Sequence, residues 1–103
     1  MGESATSREF QLPAVVAKGV DMSRERAAFA VEAAKKGYIA LLKNDLKYWQ
    51  EAAQMLKEEF DASFGGSWHV IVGQHFGAYV THEAKQMIYI AIGPVNFLIY
   101  RHG

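Results

Sequence analysis

From Arg24 to about Lys43 the apolar residues Ala27, Ala30, Val31, Ala34, Tyr38, Leu41 and Leu42 recur at steps of three and four, the spacing of one buried helix face. Ser23 stands where an N-cap accepts from the first turn, and Glu25 places a negative charge at the positive end of the helix dipole. Gly37 costs about 1 kcal/mol relative to Ala and marks a point where the helix can kink or stop. Asn44 and Asp45 can cap a second helix, in which Leu46, Trp49, Ala52, Ala53, Leu56 and Phe60 again share a face. The pattern predicts two amphipathic helices packed as a hairpin.

After Phe64-Gly65-Gly66 the period drops to two, and four strands are predicted: Trp68 to Val72, Phe76 to Thr81, Gln86 to Ile92 and Val95 to Arg101, with Gly93-Pro94 as the last turn. A brief edge strand from Pro13 to Gly19 precedes the helices. Helices followed by strands predict an α+β domain, a two-helix hairpin packed on one face of an antiparallel β-sheet. Within Gln86 to Ile92, the residues Met87, Tyr89 and Ala91 share one face and Ile88, Ile90 and Ile92 the other. The helices cover one of these apolar faces; the other needs either a second core layer or a second subunit and a ligand. Gly77 beside Tyr79, Val80 and Thr81 reads as a strand whose backbone another chain approaches closely.

At 103 residues, half of them hydrophobic and 21% charged, the chain has the profile of one globular domain. Residues 1–12 are expected to form a flexible segment and 13–103 the folded unit. Five Tyr, six Phe and two Trp in so small a domain must be either packed tightly or covered by a partner, so size alone leaves oligomerisation open. Eleven basic and eleven acidic residues are interspersed, which leaves no electrostatic footprint for nucleic acid or an anionic membrane. No apolar run approaches the roughly 20 residues that span a bilayer, and no cysteine is present for a disulfide, a thiolate nucleophile or a zinc ligand. These features predict a cytosolic protein.

His69, His75, His82 and His102 raise metal and acid-base chemistry. The run His82-Glu83-Ala84-Lys85-Gln86 begins like a zinc-protease helix but lacks the second histidine four residues on, and it falls between strands. No serine sits in a nucleophile elbow and no glycine-rich phosphate loop opens a helix, so the expectation is no catalysis, no cofactor and no metal. An enzyme using His82, Glu83 and Tyr79 as an acid-base cluster is the competing reading; it requires a deep pocket with these groups within hydrogen-bond reach.

The run Trp68-His69-Val70-Ile71-Val72-Gly73, then Phe76-Gly77-Ala78-Tyr79-Val80-Thr81-His82-Glu83, then Ile88-Tyr89, resembles the small dimeric hub type of cytoplasmic dynein light chain. The similarity reaches back through Lys57-Glu58-Glu59-Phe60-Asp61 and Asp21-Met22-Ser23 and covers residues 14 to 103. The resemblance implies a strand-swapped homodimer in which Phe76 to Thr81 crosses to the sheet of the other subunit. Two symmetric grooves then accept extended, often Gln-centred partner segments as added antiparallel strands. It implies a groove lined by His75, Phe76, Gly77, Ala78, Tyr79, Val80, Thr81 and His82, floored by Met87, Tyr89, Ala91 and Leu98. Trp49 and Gln50 would cap the ligand glutamine from the other subunit, and His69, Phe76, Tyr79 and Thr81 would form the dimer interface.

The match carries departures. Ala78 stands where a Ser is usual, Met87 where an aromatic is usual, and Ala91 where a Tyr is common, so the groove loses a hydroxyl and gains volume. Extra residues between Ser23 and Phe60 lengthen the hairpin, and His102 replaces a frequent Ser. The matching family histidine lies near its symmetry mate, so His69 is expected to be buried uncharged in the dimer, with acid favouring separation. The implied partners are a dynein intermediate chain and other proteins with disordered linear motifs, in the cytoplasm and on the microtubule cytoskeleton. A motor-independent adaptor, or a subunit whose groove one partner occupies permanently, is the alternative.

Overall fold

The computed structural model of the chain describes residues 12–103. In chain order these form strand β1 (Val15–Met22), helices α1 (Arg24–Leu42) and α2 (Trp49–Phe64), and strands β2 (Trp68–Gly73), β3 (Gln86–Ile92) and β4 (Val95–Arg101). The strands make one antiparallel sheet in the spatial order β1-β3-β4-β2, with the helix hairpin on one face, so β1 and β2 hold the two edges. The segment 1–12, expected to be flexible, lies outside the described residues except for Leu12, which packs partly buried against the core.

Helix α1 starts where the sequence predicts, with Ser23 Oγ accepting from the Arg26 N–H at 3.2 Å. Its buried residues are Ala30, Ala33, Ala34, Gly37 and Tyr38, whereas Leu42, expected on the buried face, is half exposed. The helix does not stop at Gly37. The helix runs through it because the missing side chain is filled by α2: a Cβ there would stand 3.2 Å from Leu56 Cδ1. The glycine marks the close approach of the two helices.

The predicted cap of α2 is displaced. Asn44 adopts φ 63°, the left-handed conformation that ends a helix, so Asn44-Asp45 closes α1. Helix α2 begins four residues after Asp45, at Trp49, behind Tyr48, whose side chain offers no cap. Glu51 supplies one from inside the helix, its Oε1 accepting from the N–H groups of Lys47 at 2.7 Å and Tyr48 at 3.0 Å. Those two backbone bonds hold the Glu51 carboxyl below the usual carboxylate range.

The core lies between the hairpin and the inner sheet face, where Trp68, Phe60, Phe97, Leu56, Ile88, Ile90, Ile92 and Ile99 are fully buried. Phe29 meets Phe60 and Phe64 edge-on, and the Phe60 ring lies tilted against Trp68. The end of α2 is tied to the start of β2: Asp61 accepts from the Trp68 N–H and from Lys57 Nζ, each at 2.9 Å, and the indole N–H donates to the Gly65 carbonyl. The Lys57 bond, followed by the Trp68 N–H, pulls the Asp61 carboxyl down against its desolvation.

Strands β3 and β4 occupy the predicted ranges. Strand β1 runs further than Gly19, because its ladder with β3 continues from Val15↔Ile92 to Met22↔Gln86 across a bulge between Ala17 and Gly19. The predicted strand Phe76 to Thr81 is not one in the single chain, where none of its residues joins a ladder. The reason is topological: β3 is already flanked by β1 and β4, and the link between β2 and β3 leaves the sheet edge without meeting another.

Candidate functional site

The sheet face turned away from the helices carries His69, Ile71, Met87, Tyr89, Ala91, Asn96, Leu98 and Tyr100, placed together by strand alternation and the registers His69↔Tyr100, Ile71↔Leu98 and Tyr89↔Leu98. Leu98 is buried at its centre, while Ile71 toward the β2 edge is 37% exposed. His69 stacks on Tyr100, ring centroids 5.2 Å apart, with Nε2 3.0 Å from the His102 carbonyl. Among the described residues, no helix covers this face.

From the end of β2 an arm runs over residues 74–85, fixed at both ends. Asn96 Nδ2 donates to the Gln74 carbonyl at 2.9 Å at its start. At its end the Glu83 N–H donates to the Arg101 carbonyl at 2.9 Å, the Arg101 guanidinium grips Glu83 Oε1, and the Lys85 N–H donates to Asp21 Oδ2. Between these anchors Tyr79 is fully exposed, Ala78 and Thr81 are exposed, and Val80 is half-buried. A Cβ on Gly77 would meet nothing within 4 Å, so the close approach expected there is absent within one chain.

Two regions of open volume flank this arrangement. One, of about 500 Å³, lies between the α2 start and the β2 edge and is lined by Lys47, Tyr48, Trp49, Gln50, Ala53, Val70, Ile71 and Val72. The other is a pair of adjoining cavities of about 530 and 510 Å³ at the arm base, sharing Lys18, Gln74, His75 and Asn96. Phe76, Gly77 and Tyr89 line the first of the pair and Ala91 the second. The β-bulge turns Lys18 onto the outer face, where its ammonium stands 5.4 Å from the Tyr89 ring centre, and Phe76 packs on the same ring.

The sequence-predicted groove residues therefore fall into separate groups. Trp49 and Gln50 sit with the β2 edge; His75, Phe76, Gly77, Tyr89 and Ala91 gather at the arm base; Ala78, Tyr79, Val80 and Thr81 ride on the arm; Met87 and Leu98 lie on the outer face. His82 stays at the arm's far anchor, its Nδ1 2.9 Å from the Glu83 carbonyl and 3.9 Å from Asp21 Oδ2. The acid-base cluster is not assembled, since Glu83 is engaged by Arg101 and Tyr79 stands free in solvent. Among the described residues, no three His, Asp or Glu side chains converge as metal ligands, and no helix is long and apolar enough to cross a membrane. Sequence reading missed Tyr48, Ile71, Lys18 and Asn96 as lining residues. Only Tyr48, an aromatic just ahead of a helix, carried a visible signal.

A helix hairpin on one face of a four-stranded antiparallel sheet, with no helix among the described residues on the opposite face and an arm leading off an edge strand, defines a small α+β domain of a distinct class. The chain belongs to the dynein light chain type 1 family, which matches residues 14–102. Among solved structures it is similar to the dynein light chain-like domain of FhCaBP2, a Fasciola hepatica calcium binding protein. That match has 20% identity and a TM-score of 0.72 over 86% of this chain and 92% of that one. It is also similar to the DLC-like domain of CsTAL3, at 16% identity and a TM-score of 0.62 over 84% and 90% of the two chains. At these identities the structural likeness establishes the fold.

Proposed function

We propose that the protein is a non-catalytic dynein light chain that works as a dimeric hub. Residues 76–81 of each protomer cross to the β2 edge of the other, and each crossed arm then offers its free side to an extended, often Gln-centred segment of a partner protein. The observation that carries this reading is a pair of vacancies in one molecule: an arm of β-forming residues outside any ladder, and an edge strand open beside an apolar cavity. An unpaired edge is a liability that a second copy removes, and strand exchange is an inexpensive route to a closed two-fold dimer.

The dimer would cover the outer sheet face. Two parallel grooves would hold two copies of a disordered partner together, raising apparent affinity through effective concentration. A dynein intermediate chain, in the cytoplasm and on microtubules, is the partner the family suggests. His69, on the covered face, would meet its symmetry mate, and two imidazolium ions cannot be buried side by side at low cost.

Sedimentation of the wild type and of Gly77→Pro, with binding of Gln-centred peptides measured alongside, tests the assignment. The wild type is expected to sediment as a dimer and bind, and Gly77→Pro to keep its helix content while losing peptide. A wild type that stays monomeric at tens of micromolar near neutral pH, or a dimer indifferent to Gly77→Pro, overturns it. His69→Lys, which places a fixed charge on the covered face, should be monomeric near neutral pH.

A further inference from the structure

Two of the four histidines meet at one corner of the sheet. The register pairs His69 with Tyr100, and just past β4 the His102 N–H donates to the Ser67 carbonyl at 3.1 Å, so the same register continues to a pairing of 102 with 67. Alternation then sets His69 and His102 on the outer face as diagonal neighbours of an antiparallel pair, roughly 7–8 Å apart and within reach of two imidazole side chains. The other two histidines lie elsewhere. His75 lines the arm-base cavities, and His82 sits at the arm's far anchor, beside a Glu83 already held by Arg101.

The His69 ring has the setting of a metal ligand. A carbonyl only accepts, so the 3.0 Å contact between Nε2 and the His102 carbonyl places the proton on Nε2 and leaves the Nδ1 lone pair free. A histidine that binds a metal through one nitrogen characteristically donates its other N–H to a carbonyl or carboxylate. That bond fixes the tautomer and the ring orientation and raises the basicity of the ligating nitrogen. Tyr100, stacked on the ring at 5.2 Å, holds its plane, while the His102 side chain is exposed beside it. One chain supplies only this pair, and among the described residues no third ligand joins it.

Resting on the dimer reading above, in which His69 meets its symmetry mate, we propose that His69 and His102 of both protomers together form a site for a divalent transition metal, zinc. Imidazole nitrogens suit zinc, and four of them satisfy its tetrahedral preference. Neither protomer completes the site alone, so the metal binds the dimer in preference to the separated chains and clamps it by mass action. At free zinc about a hundred times the Kd of the site, dimerisation tightens about a hundredfold.

The test is sedimentation of the full, untagged chain near neutral pH, in EDTA and in added Zn2+, with calorimetric titration by Zn2+ alongside. The wild type should take up one zinc per dimer, and its dimer should tighten about a hundredfold at saturating metal. His102→Ser, a change at an exposed position, should match the wild-type dimer in EDTA yet lose both zinc uptake and the tightening. His69→Gln should also lose zinc, whereas His82→Gln should keep it. Co2+ in place of zinc should give the wild type the strong visible absorption of a tetrahedral centre, absent from His102→Ser. One zinc per protomer with no tightening overturns the shared site. Zinc uptake that survives His102→Ser, or a dimer indifferent to the metal, overturns the site and leaves the hub standing. A chain that is monomeric both in zinc and in EDTA removes the hub reading, and the site with it.

Discussion

The two faces of the sheet come from the same strands and differ in what completes them. The inner face is closed within the chain: Ile88, Ile90, Ile92, Phe97 and Ile99 are buried under α1 and α2, with exposures of 1% or less. The outer face is closed only at its centre, by Leu98 and Ala91, and opens toward the β2 edge through Ile71 and His69. The inner face shows how this chain folds, and the outer one where the proposed second copy would lie. On the dimer reading proposed above, a second copy lies on that outer side.

Breaking the inner face should have the largest effect. Phe97→Ala removes a fully buried ring from beneath the hairpin and should cost about 3–5 kcal/mol in denaturant unfolding. On the outer face, Ile71→Glu should leave the fold intact, since the side chain is already partly in water, yet weaken self-association roughly a hundredfold by sedimentation. If that variant unfolds instead, the outer face belongs to the chain's own core. Gly37→Val tests the helical layer, where the added side chain meets Leu56 Cδ1 and should destabilise by about 1–3 kcal/mol without changing association.

The smallest effect concerns the strap between α2 and β2. Asp61→Asn weakens the bonds to Lys57 and the Trp68 N–H, for about 1 kcal/mol at neutral pH. The native carboxyl is held low, so its contribution is complete above the unfolded-chain value of about 3.9 and is lost as pH falls through the lower folded value. Wild type and Asp61→Asn should therefore converge in stability on acidification, which thermal melts across that range would record.

The legible parts of the sequence were those set by local period and punctuation. Strands β3 and β4 were placed residue for residue because alternation ran unbroken up to Gly93-Pro94, and α1 because Ser23 preceded a long helical period. The start of α2 was misplaced because Asn44-Asp45 is as good at ending a helix as at starting one, and the real cap, Glu51, acts from three residues inside. Gly37 looked like a weakness along the chain and proved to be a contact across it. In the candidate site, Trp49, Gln50 and the arm were named from resemblance, whereas Lys18, Ile71 and Asn96 were missed because a bulge and a strand register brought them there.

Taken alone, the sequence determined which residues are apolar, at what period they recur and where the chain must turn, because these depend on neighbours within a few positions. Only the tertiary structure decided that residues 76–81 find no partner in their own sheet, since a strand exists by virtue of the edge it bonds to. For the same reason the three-dimensional arrangement, and not the spelling of the chain, left β2 open beside a cavity framed by two aromatic rings.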